Sequence, residues 1–399
     1  MRFLKATLIN ESGIILMITL LLLALLMATS VGIISSTQTN LKISGNLKFG
    51  RQAFYIADAG VHRAWRELDN GDKVNDFEDV WSGGVTFLYR NEAFGGGSHT
   101  VAVEKISEVV PRRIRVISTG CFPAANPCPA GHSKAVIESH FKRGPLFPAV
   151  VAALEEVSLS GGAITDGFDS RVAPYNPAVP GSYGDLRSNA RITLSGNTTA
   201  INGSAIASEA VTVIEGAKIA GDTARSALPY RFPQLKPCGP PYSNGTGISG
   251  GSYSAATGRL EGQPGESIIL ADGSYCFSSI NLAEGSVITV SGPVIVQLDA
   301  PSRFARGGLA NMTGRAENFG IFSSLAHPTD GIILCGGPRA YASVYAPWSR
   351  IEFMGGDDFF GAVVGKTVVS TGGMRLHYDR KLNDNEDGSV QMIVWKDAL

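Results

Sequence analysis

An uncharged apolar segment near the N-terminus constrains the architecture of this chain more than any other feature. It covers residues 12–40, and residues 14–27 form its continuous apolar core. An apolar helix of about 20 residues spans the hydrocarbon core of a bilayer. Arg2 and Lys5 precede the segment, and basic residues favour the cytoplasmic side of a membrane. We therefore expect a single-pass anchor in the cytoplasmic membrane, with the remainder of the chain outside the cytoplasm.

A cleaved secretory signal is the alternative interpretation of this segment. The apolar core is long for a signal peptide, and a helical pattern follows it instead of a short polar linker. The apolar positions of that pattern recur at helical spacing: Ile43, Leu47, Phe54, Ala57, Val61, Ala64, Trp65 and Leu68. This stripe predicts one long helix that leaves the membrane and ends near Asn70 and Gly71.

Residues 72–143 alternate apolar and polar side chains in four short segments. The segments are TFLYR, HTVAVEKI, RRIRVISTG and KAVIESHFKR. A period of two is typical of strands in an antiparallel sheet with one buried face. The stripe of the preceding helix would cover that face, which predicts a small α+β head.

Pro145 and Pro148 indicate a domain boundary, and the residues beyond them follow a different pattern. Residues 149–399 contain many short β-rich runs that end in Gly or Asn, such as VSLSG, SIILADG and RIEFMGG. Glycine is abundant throughout, with 48 residues, whereas charged residues make up only 17%. Short strands joined by tight turns predict an all-β domain that is a right-handed β-solenoid, and a β-sandwich is the alternative architecture.

Five cysteines follow the apolar segment, so all of them lie on the exported side, where disulfides can form. Cys121 and Cys128 flank the loop FPAANP, and a local pairing there is one possibility. Cys238 with Cys276 is the second candidate pair, although five cysteines leave several connectivities open. Cys335 lies in the apolar run GIILCGG and is expected to be a buried thiol.

Parallel β-helices host some polysaccharide enzymes, so the carboxylates of the β-rich region need an interpretation. Asp357 and Asp358 are adjacent, and neighbouring residues of a strand point to opposite faces. Asp166 and Asp169 are interpreted as caps of tight turns, and His377 as a structural hydrogen-bonding group. No nucleophile elbow, zinc-protease motif or phosphate-binding loop occurs in the sequence. The sequence therefore predicts a protein that is not an enzyme and that needs no cofactor.

The tail DRKLNDNEDGS contains half of a calcium-loop pattern. Asn383, Asn385 and Asp387 place oxygen atoms on alternate residues, and Gly388 follows them. The final ligand position of such a loop would be Val394, which has no side-chain oxygen. We interpret the tail as a solvated linker and expect no bound metal. The net charge of −1 likewise gives no reason to expect a nucleic-acid partner.

Three features follow one another within residues 12–68. They are the run ESGIILMITLLLLALLMATSVGII, the pair Gly45-Asn46 and the segment AFYIADAG at residues 53–60. Together they resemble the N-terminal domain of PilX-type type IV pilus assembly proteins. The resemblance implies a minor pilin-like component of type IV pilus assembly. Its implied partners are other pilins, the inner-membrane assembly machinery and a prepilin peptidase. Segments of the β-rich region, such as SLSGGAITDGFDSRVAPY and LHYDRKL, resemble a domain that is often fused behind such N-termini.

The resemblance also implies cleavage by a prepilin peptidase after Gly13, which leaves Ile14 as the mature N-terminus. Major pilins carry Glu at the fifth mature position, where this chain has Ile18. That Glu pairs with the N-terminus of a neighbouring subunit inside an apolar bundle. Its absence favours a tip, priming or accessory subunit over a subunit of the filament shaft.

The expected domains are a leader at residues 1–13, a transmembrane and amphipathic helix at 14–71, a head sheet at 72–143 and the β-rich domain at 149–399. A pilus-borne adhesin or carbohydrate-binding surface protein is the alternative function. Exposed aromatic rows in the β-rich region would favour that alternative. Its candidate residues are Tyr230, Phe232, Tyr242 and Tyr253.

Overall fold

The computed structural model describes residues 11–69, 75–106, 112–125, 128–226, 229–233, 235–384, 386–388 and 390–398. Within these ranges the chain divides into two compact units. The first contains the described residues up to Lys142 and those from Met392 onward, and the second contains the residues from Arg143 to Gln391.

Helix α1 covers Glu11–Leu68 without interruption. Its N-terminal part is the one segment of the described chain that is long and apolar enough, as a helix, to cross a membrane. Its C-terminal part buries the predicted apolar stripe, because Ala57, Val61 and Leu68 are fully inaccessible to solvent. The predicted long N-terminal helix is therefore confirmed.

The first unit packs α1 against an antiparallel sheet, as the alternating pattern predicts. The short helix α2 (Phe77–Trp81) precedes four strands that pair in sequence order. The strands are β1 (Phe87–Phe94), β2 (Gly97–Lys105), β3 (Arg113–Phe122) and β4 (Ser133–Arg143). The face toward the helix carries buried side chains such as Val101, Val116 and Ile137. Each fully buried side chain of this kind contributes roughly 1.5–3 kcal/mol to stability.

Two glycines allow the helix and the sheet to approach closely. A Cβ atom on Gly120 of β3 would lie 2.1 Å from the carbonyl oxygen of Ala53 and 2.6 Å from the amide nitrogen of Ala57. A Cβ atom on Gly60 of the helix would lie 2.3 Å from the hydroxyl of Ser118. Glycine is therefore required at these two contact points, where backbone meets backbone or a short buried side chain.

The second unit is a β-solenoid, which confirms the solenoid over the sandwich. Its strands are parallel along most of the stack, and each turn of the chain forms one rung. In chain order they are β5 (Val151–Leu159), β6 (Ile164–Phe168), β7 (Leu186–Ser188), β8 (Arg191–Ser195), β9 (Ala200–Ile201), β10 (Ala205–Ala207), β11 (Ala210–Ile214), β12 (Lys218–Ile219), β13 (Thr223–Arg225), β14 (Ile248–Ser249), β15 (Ser252–Ser254), β16 (Arg259–Gly262), β17 (Ser267–Leu270), β18 (Gly273–Phe277), β19 (Ser279–Leu282), β20 (Val287–Val290), β21 (Val294–Leu298), β22 (Ser302–Phe304), β23 (Leu309–Asn311), β24 (Phe319–Ser323), β25 (His327–Cys335), β26 (Tyr341–Met354), β27 (Asp358–Ser370) and β28 (Arg375–Asp379). Two short 3₁₀ helices cover Ala316–Asn318 and Arg380–Asp384.

The chain enters this stack in its middle. β5 pairs in parallel with β27, and β6 with β28, although these partners come from opposite ends of the unit in sequence. From β6 the chain winds through β7–β9 and β10–β12 to the short strand β13 at one end of the stack. It then passes to the other end and winds back from β14 to β28.

The core of the solenoid is a set of columns in which inward side chains stack from rung to rung. In one column, successive strands place buried residues in direct register along the whole stack. These residues are Tyr275, Val296, Ile321, Val344, Val363, Val151, Leu186 and Ala205. A short strand can bury only one face, so the stacking of neighbours supplies the core that no rung has alone.

The last strand, β29 (Val390–Asp397), lies at the edge of the antiparallel sheet beside β4. The sequence pattern predicts one domain at residues 149–399, whereas in the structure the residues from Met392 onward belong to the first unit. The ring of Trp395 packs edge to face on Phe54 with centroids 5.8 Å apart, and its Nε1 donates to Asp58 at 3.2 Å. Lys396 forms an ion pair with Glu138 at 3.1 Å. These contacts explain why the strand joins the first unit.

A larger side chain at Gly120 should separate the helix from the sheet. We expect Gly120→Val to destabilise this unit by about 1–3 kcal/mol, because the added atoms meet backbone that cannot move aside. Hydrogen exchange of the β2 and β3 amides in the detergent-solubilised chain measures the effect. Gly45→Ala is the matched control, since nothing lies within 4 Å of its Cβ position. Equal amide protection in Gly120→Val and the wild type would contradict the close-approach argument.

Candidate functional site

The N-terminal part of α1 presents apolar side chains on every side. From Ile15 to Phe49, its large apolar side chains are all at least 40% exposed. A helix that is apolar all round belongs in a membrane or in the core of an assembly. Gly13 and Ile14 lie in the first turns of this helix. The first candidate site is therefore this exposed segment together with the proposed cleavage point.

A polar contact ties the C-terminal part of α1 to the sheet. The guanidinium of Arg63 donates to Glu92 at 2.8 Å and lies 4.4 Å from the centre of the Tyr89 ring. Its second terminal nitrogen is 3.3 Å from Nε2 of His99, which is almost fully buried. Burial lowers the pKa of His99, and the positive charge of Arg63 lowers it further. The folded unit therefore favours a neutral imidazole at this position.

The structure joins the cysteines in two disulfides. Cys121 bonds to Cys128 and Cys238 bonds to Cys276, which are the two pairs that sequence analysis puts forward. The first closes the turn after β3 in the antiparallel sheet. The second joins the segment after residue 235 to β18. Cys335 is a buried free thiol, and burial raises its pKa.

One group among the described residues has a metal-like arrangement: Cys238, Cys276 and Asp299. Both sulfur atoms are used in the disulfide, and Asp299 accepts hydrogen bonds from Gly239 N and Ser324 Oγ at 2.7 and 2.8 Å. These bonds account for the arrangement without an ion.

The structure describes two of the three calcium-loop candidates. Asn383 lies in the 3₁₀ helix Arg380–Asp384, and Asp387 lines a surface groove of about 420 Å³ with Glu317 and Lys381. Asn385 lies outside the described residues. The expectation that the tail binds no metal stays a prediction.

A second candidate site lies on the outer face of the solenoid, where His377 lies between two carboxylates. Its Nδ1 is 2.6 Å from Asp166 and its Nε2 is 3.1 Å from Asp358. The other oxygen of Asp166 accepts a hydrogen bond from the hydroxyl of Tyr175 at 2.8 Å. We call Asp166, Tyr175, Asp358 and His377 the Asp–His cluster. Parallel pairing of β27, β28 and β6 brings its charged members together.

Aromatic rings surround the imidazole of His377. The ring of Phe360 stacks on it with centroids 4.8 Å apart, and the Tyr175 ring lies 4.0 Å away on a loop that crosses the cluster. Tyr341 continues the row, stacked on Phe360 at 4.4 Å. Burial raises the pKa of Tyr175, and its bond to Asp166 raises it further. The phenol therefore remains a hydrogen-bond donor to that carboxylate.

His377 and Asp166 of the Asp–His cluster are almost fully buried, whereas the side chain of Asp358 is 30% exposed. Burial alone would raise the pKa of Asp358, but hydrogen bonds from Arg375 and His377 outweigh burial and lower it. Both carboxylates are thus engaged by donors within the protein, and the loop of Tyr175 covers the imidazole. Such an arrangement fixes the outer loop on the solenoid wall.

The sequence pattern does not reveal this convergence, because Asp166 and His377 are 211 positions apart. The adjacency of Asp357 and Asp358 in the sequence also gives no information about their partners on the adjacent rungs. Asp357 binds Arg306 at 2.7 Å, whereas Asp358 binds Arg375 and His377. Residues that point outward on consecutive rungs become neighbours in a solenoid, and a comparison of those positions could have revealed the cluster.

The aromatic candidates for carbohydrate binding do not form an exposed row. Tyr230 and Phe232 are buried against the solenoid wall. The hydroxyl of Tyr253 donates to the backbone of Ser243, and its ring packs edge to face on Phe277. Tyr242 is half-buried. These residues stabilise the covering of the solenoid, so they do not favour the adhesin alternative.

Comparison with known proteins matches two parts of the chain. Residues 12–62 match the PilX N-terminal family, and residues 284–385 match a family described as Domain of unknown function (DUF7305). No curated protein matches the chain. Among solved structures, the competence-associated pilin ComZ from Thermus thermophilus shares 14% sequence identity over 88% of this chain and 98% of its own, with a TM-score of 0.30. A TM-score this low does not establish a shared fold. The PilX match confirms the resemblance of the N-terminal region, which is pilin-like.

Acidification should loosen the contact between α1 and the sheet. Because the pKa of His99 is lowered in the folded state, the unfolded chain holds the proton more tightly. The folded unit is therefore most stable, as far as His99 is concerned, above the unfolded pKa of about 6.5. Its free energy of unfolding decreases as the pH falls below that value. Hydrogen exchange of β2 amides at about pH 7.5 and about pH 5 measures this loss. In His99→Gln the loss should be smaller, and an equal loss in both proteins would contradict the role of His99.

Removal of the Tyr175 hydroxyl should release the loop that covers the Asp–His cluster. Tyr175→Phe keeps the ring but leaves a buried oxygen of Asp166 without its donor, which costs about 1–3 kcal/mol. Limited proteolysis within residues 170–182 should accelerate. Val172→Ala is the control, because that side chain is 83% exposed and can be shortened without loss of buried contact. Unchanged cleavage of Tyr175→Phe would show that the hydrogen bond does not hold the loop.

Proposed function

We propose that this protein is a minor pilin-like component of type IV pilus assembly. The observation that carries the proposal is α1, which is one continuous helix with two different environments. Its N-terminal part exposes apolar side chains on all sides, and its C-terminal part packs on the antiparallel sheet. The match of residues 12–62 to the PilX N-terminal family supports the same conclusion.

The exposed part of α1 would serve two successive partners. Before assembly it anchors the chain in the cytoplasmic membrane, where its apolar surface is solvated by lipid. During assembly the same surface packs against the helices of other pilins. The proposed partners are therefore other pilins, the inner-membrane assembly machinery and the prepilin peptidase, with no nucleic acid among them.

An accessory position in the filament fits the chemistry of the exposed helix better than the shaft does. Ile18 would be the fifth residue of the mature chain, and its side chain is apolar and 54% exposed. Residues 12–40 contain no carboxylate that could pair with the N-terminus of a neighbouring subunit. An unpaired terminal charge in an apolar bundle is costly, which disfavours repeated stacking of this subunit on itself.

The β-rich unit would be displayed at the cell surface and on the pilus, in a structural or recognition role. The hydroxyl of Tyr175 donates to Asp166 of the Asp–His cluster, and the two carboxylates are engaged by His377 and Arg375. This arrangement supports a role without catalysis. The two disulfides suit a location outside the cytoplasm, where thiols oxidise.

Mass spectrometry of the mature N-terminus tests the proposal. In a bacterium with an active prepilin peptidase, the purified chain should begin with Ile14, and in a peptidase-deficient strain it should retain the leader. Gly13→Leu should block the cleavage, because the peptidase would no longer find the small residue before the cut. Gly45→Ala is the matched control and should be processed normally. An intact Met1 in the wild type, or a cut within residues 27–38, would overturn the pilin assignment.

A further inference from the structure

The two ends of the solenoid differ in how their last rungs are capped. At one end, all three faces of the last rung are covered. β15 pairs antiparallel with β16, β14 pairs antiparallel with β17, and the backbone of Ser243 donates to Cys276 of β18 at 3.0 Å. The disulfide between Cys238 and Cys276 secures this covering segment. Reversal of strand direction ends the parallel stack here, so this end is capped.

In the part of the chain that the structure describes, the opposite end has no comparable cap. Its last complete rung is β10–β12, and the short strand β13 covers only β10. β11 pairs with β8 along one edge and β12 pairs with β9. Among the described residues, no strand pairs with the outer edges of β11 and β12. We call this surface the open end, and it presents backbone N–H and C=O groups that only another extended chain can match in spacing.

The open end also leaves the solenoid core uncovered. In the register of β11 on β8, Val211 stacks on Ile192 and Val213 stacks on Leu194, both of which are fully buried. Val213 is nevertheless 41% exposed, because no further rung of the described chain lies above it. The uncovered column and the unpaired edge coincide on one five-residue strand. A terminal repeat of a soluble solenoid normally has a polar outer face.

The residues around this strand define which partner it fits. The strand AVTVI contains no charged residue and no proline, so nothing within it prevents pairing. Glu209 and Glu215 flank it, both are exposed, and neither carboxylate has an ion-pair partner among the described residues. Pairing of this strand with its copy in a second molecule, antiparallel and centred on Thr212, would place Glu209 opposite Glu215. Like charges directly opposite each other destabilise a strand pair.

We propose that the open end binds an extended strand of a partner polypeptide, which adds a further rung to the solenoid. The partner strand carries apolar side chains on alternate positions, which cover Val211 and Val213. It carries a basic residue at each flank, which pairs with Glu209 and Glu215. This activity is independent of the anchoring role of α1 and goes beyond it. Main-chain hydrogen bonds supply the affinity in this type of recognition, and the flanking charges supply specificity.

A designed peptide tests this binding directly. The amidated peptide KTVTVTK places lysines at the spacing of Glu209 and Glu215, and its symmetrical pattern fits in either strand direction. The control peptide ETVTVTE differs only in its flanking charges. Fluorescence anisotropy with the detergent-solubilised full chain should give about tenfold tighter binding for the lysine peptide, since two attractive charge pairs replace two repulsive ones.

Variants of the protein locate the site. The double variant Glu209→Lys with Glu215→Lys should reverse the preference between the two peptides. Val213→Lys should abolish binding of both, because a charge then covers the apolar column. Ile269→Lys is the matched control, since Ile269 is 49% exposed but lies on β17 at the capped end, and it should leave binding unchanged. Circular dichroism confirms that each variant remains folded.

Three results would overturn the proposal. The first is failure of KTVTVTK to bind the folded wild type. The second is equal binding of both peptides that the double charge variant does not alter. The third is concentration-dependent dimerisation that Val213→Lys abolishes, because the open end would then be occupied by a second copy of the chain. The mature N-terminus found by mass spectrometry is independent of these results, so failure here does not affect the pilin proposal.

Discussion

Parallel pairing of β5 with β27 is the interaction on which the solenoid depends. These strands come from the beginning and the end of the unit, and their register places Val151 beside Val363 and Val157 beside Val368. Each half of the solenoid would otherwise end in an uncovered rung at this point. The pairing therefore joins two partial stacks into one continuous core. It also requires the chain ends of the unit to meet at mid-stack, and β29 leaves for the antiparallel sheet soon afterwards.

The same junction creates the Asp–His cluster. Because β28 lies between β27 and β6, outward side chains of two consecutive strands and of a strand about 200 residues earlier form one row. His377 then lies between Asp166 and Asp358, and its aromatic neighbours exclude water from it. Buried charged groups stabilise a structure only when they are paired and hydrogen-bonded. The cluster meets that condition, so its physical role is to fix the seam between the two halves and the loop that carries Tyr175.

Local patterns in the sequence predict those elements that are determined by near neighbours. The apolar stripe from Ile43 to Leu68 predicts the docked part of α1, and a nearly alternating pattern of apolar and polar residues predicts β2, β3 and β4. Glycine-terminated runs predict a solenoid, because each run is too short to bury a core alone. The short loop between Cys121 and Cys128 makes them a candidate disulfide pair, although the sequence leaves several connectivities open.

Long-range topology is what local patterns do not contain. Nothing in residues 151–159 reveals that their partner is β27 instead of the next strand in sequence. The position of β29 in the antiparallel sheet depends on the contacts of Trp395 with Phe54 and Asp58, which lie near the other end of the sequence. The asymmetry of the two ends follows from the same topology. Because the chain enters at mid-stack, it passes once from the end at β13 to the end at β14. The segment that makes this passage covers the end at which it arrives. The end that it leaves keeps β11 as an edge strand, so an unpaired edge is a direct consequence of how the halves are joined.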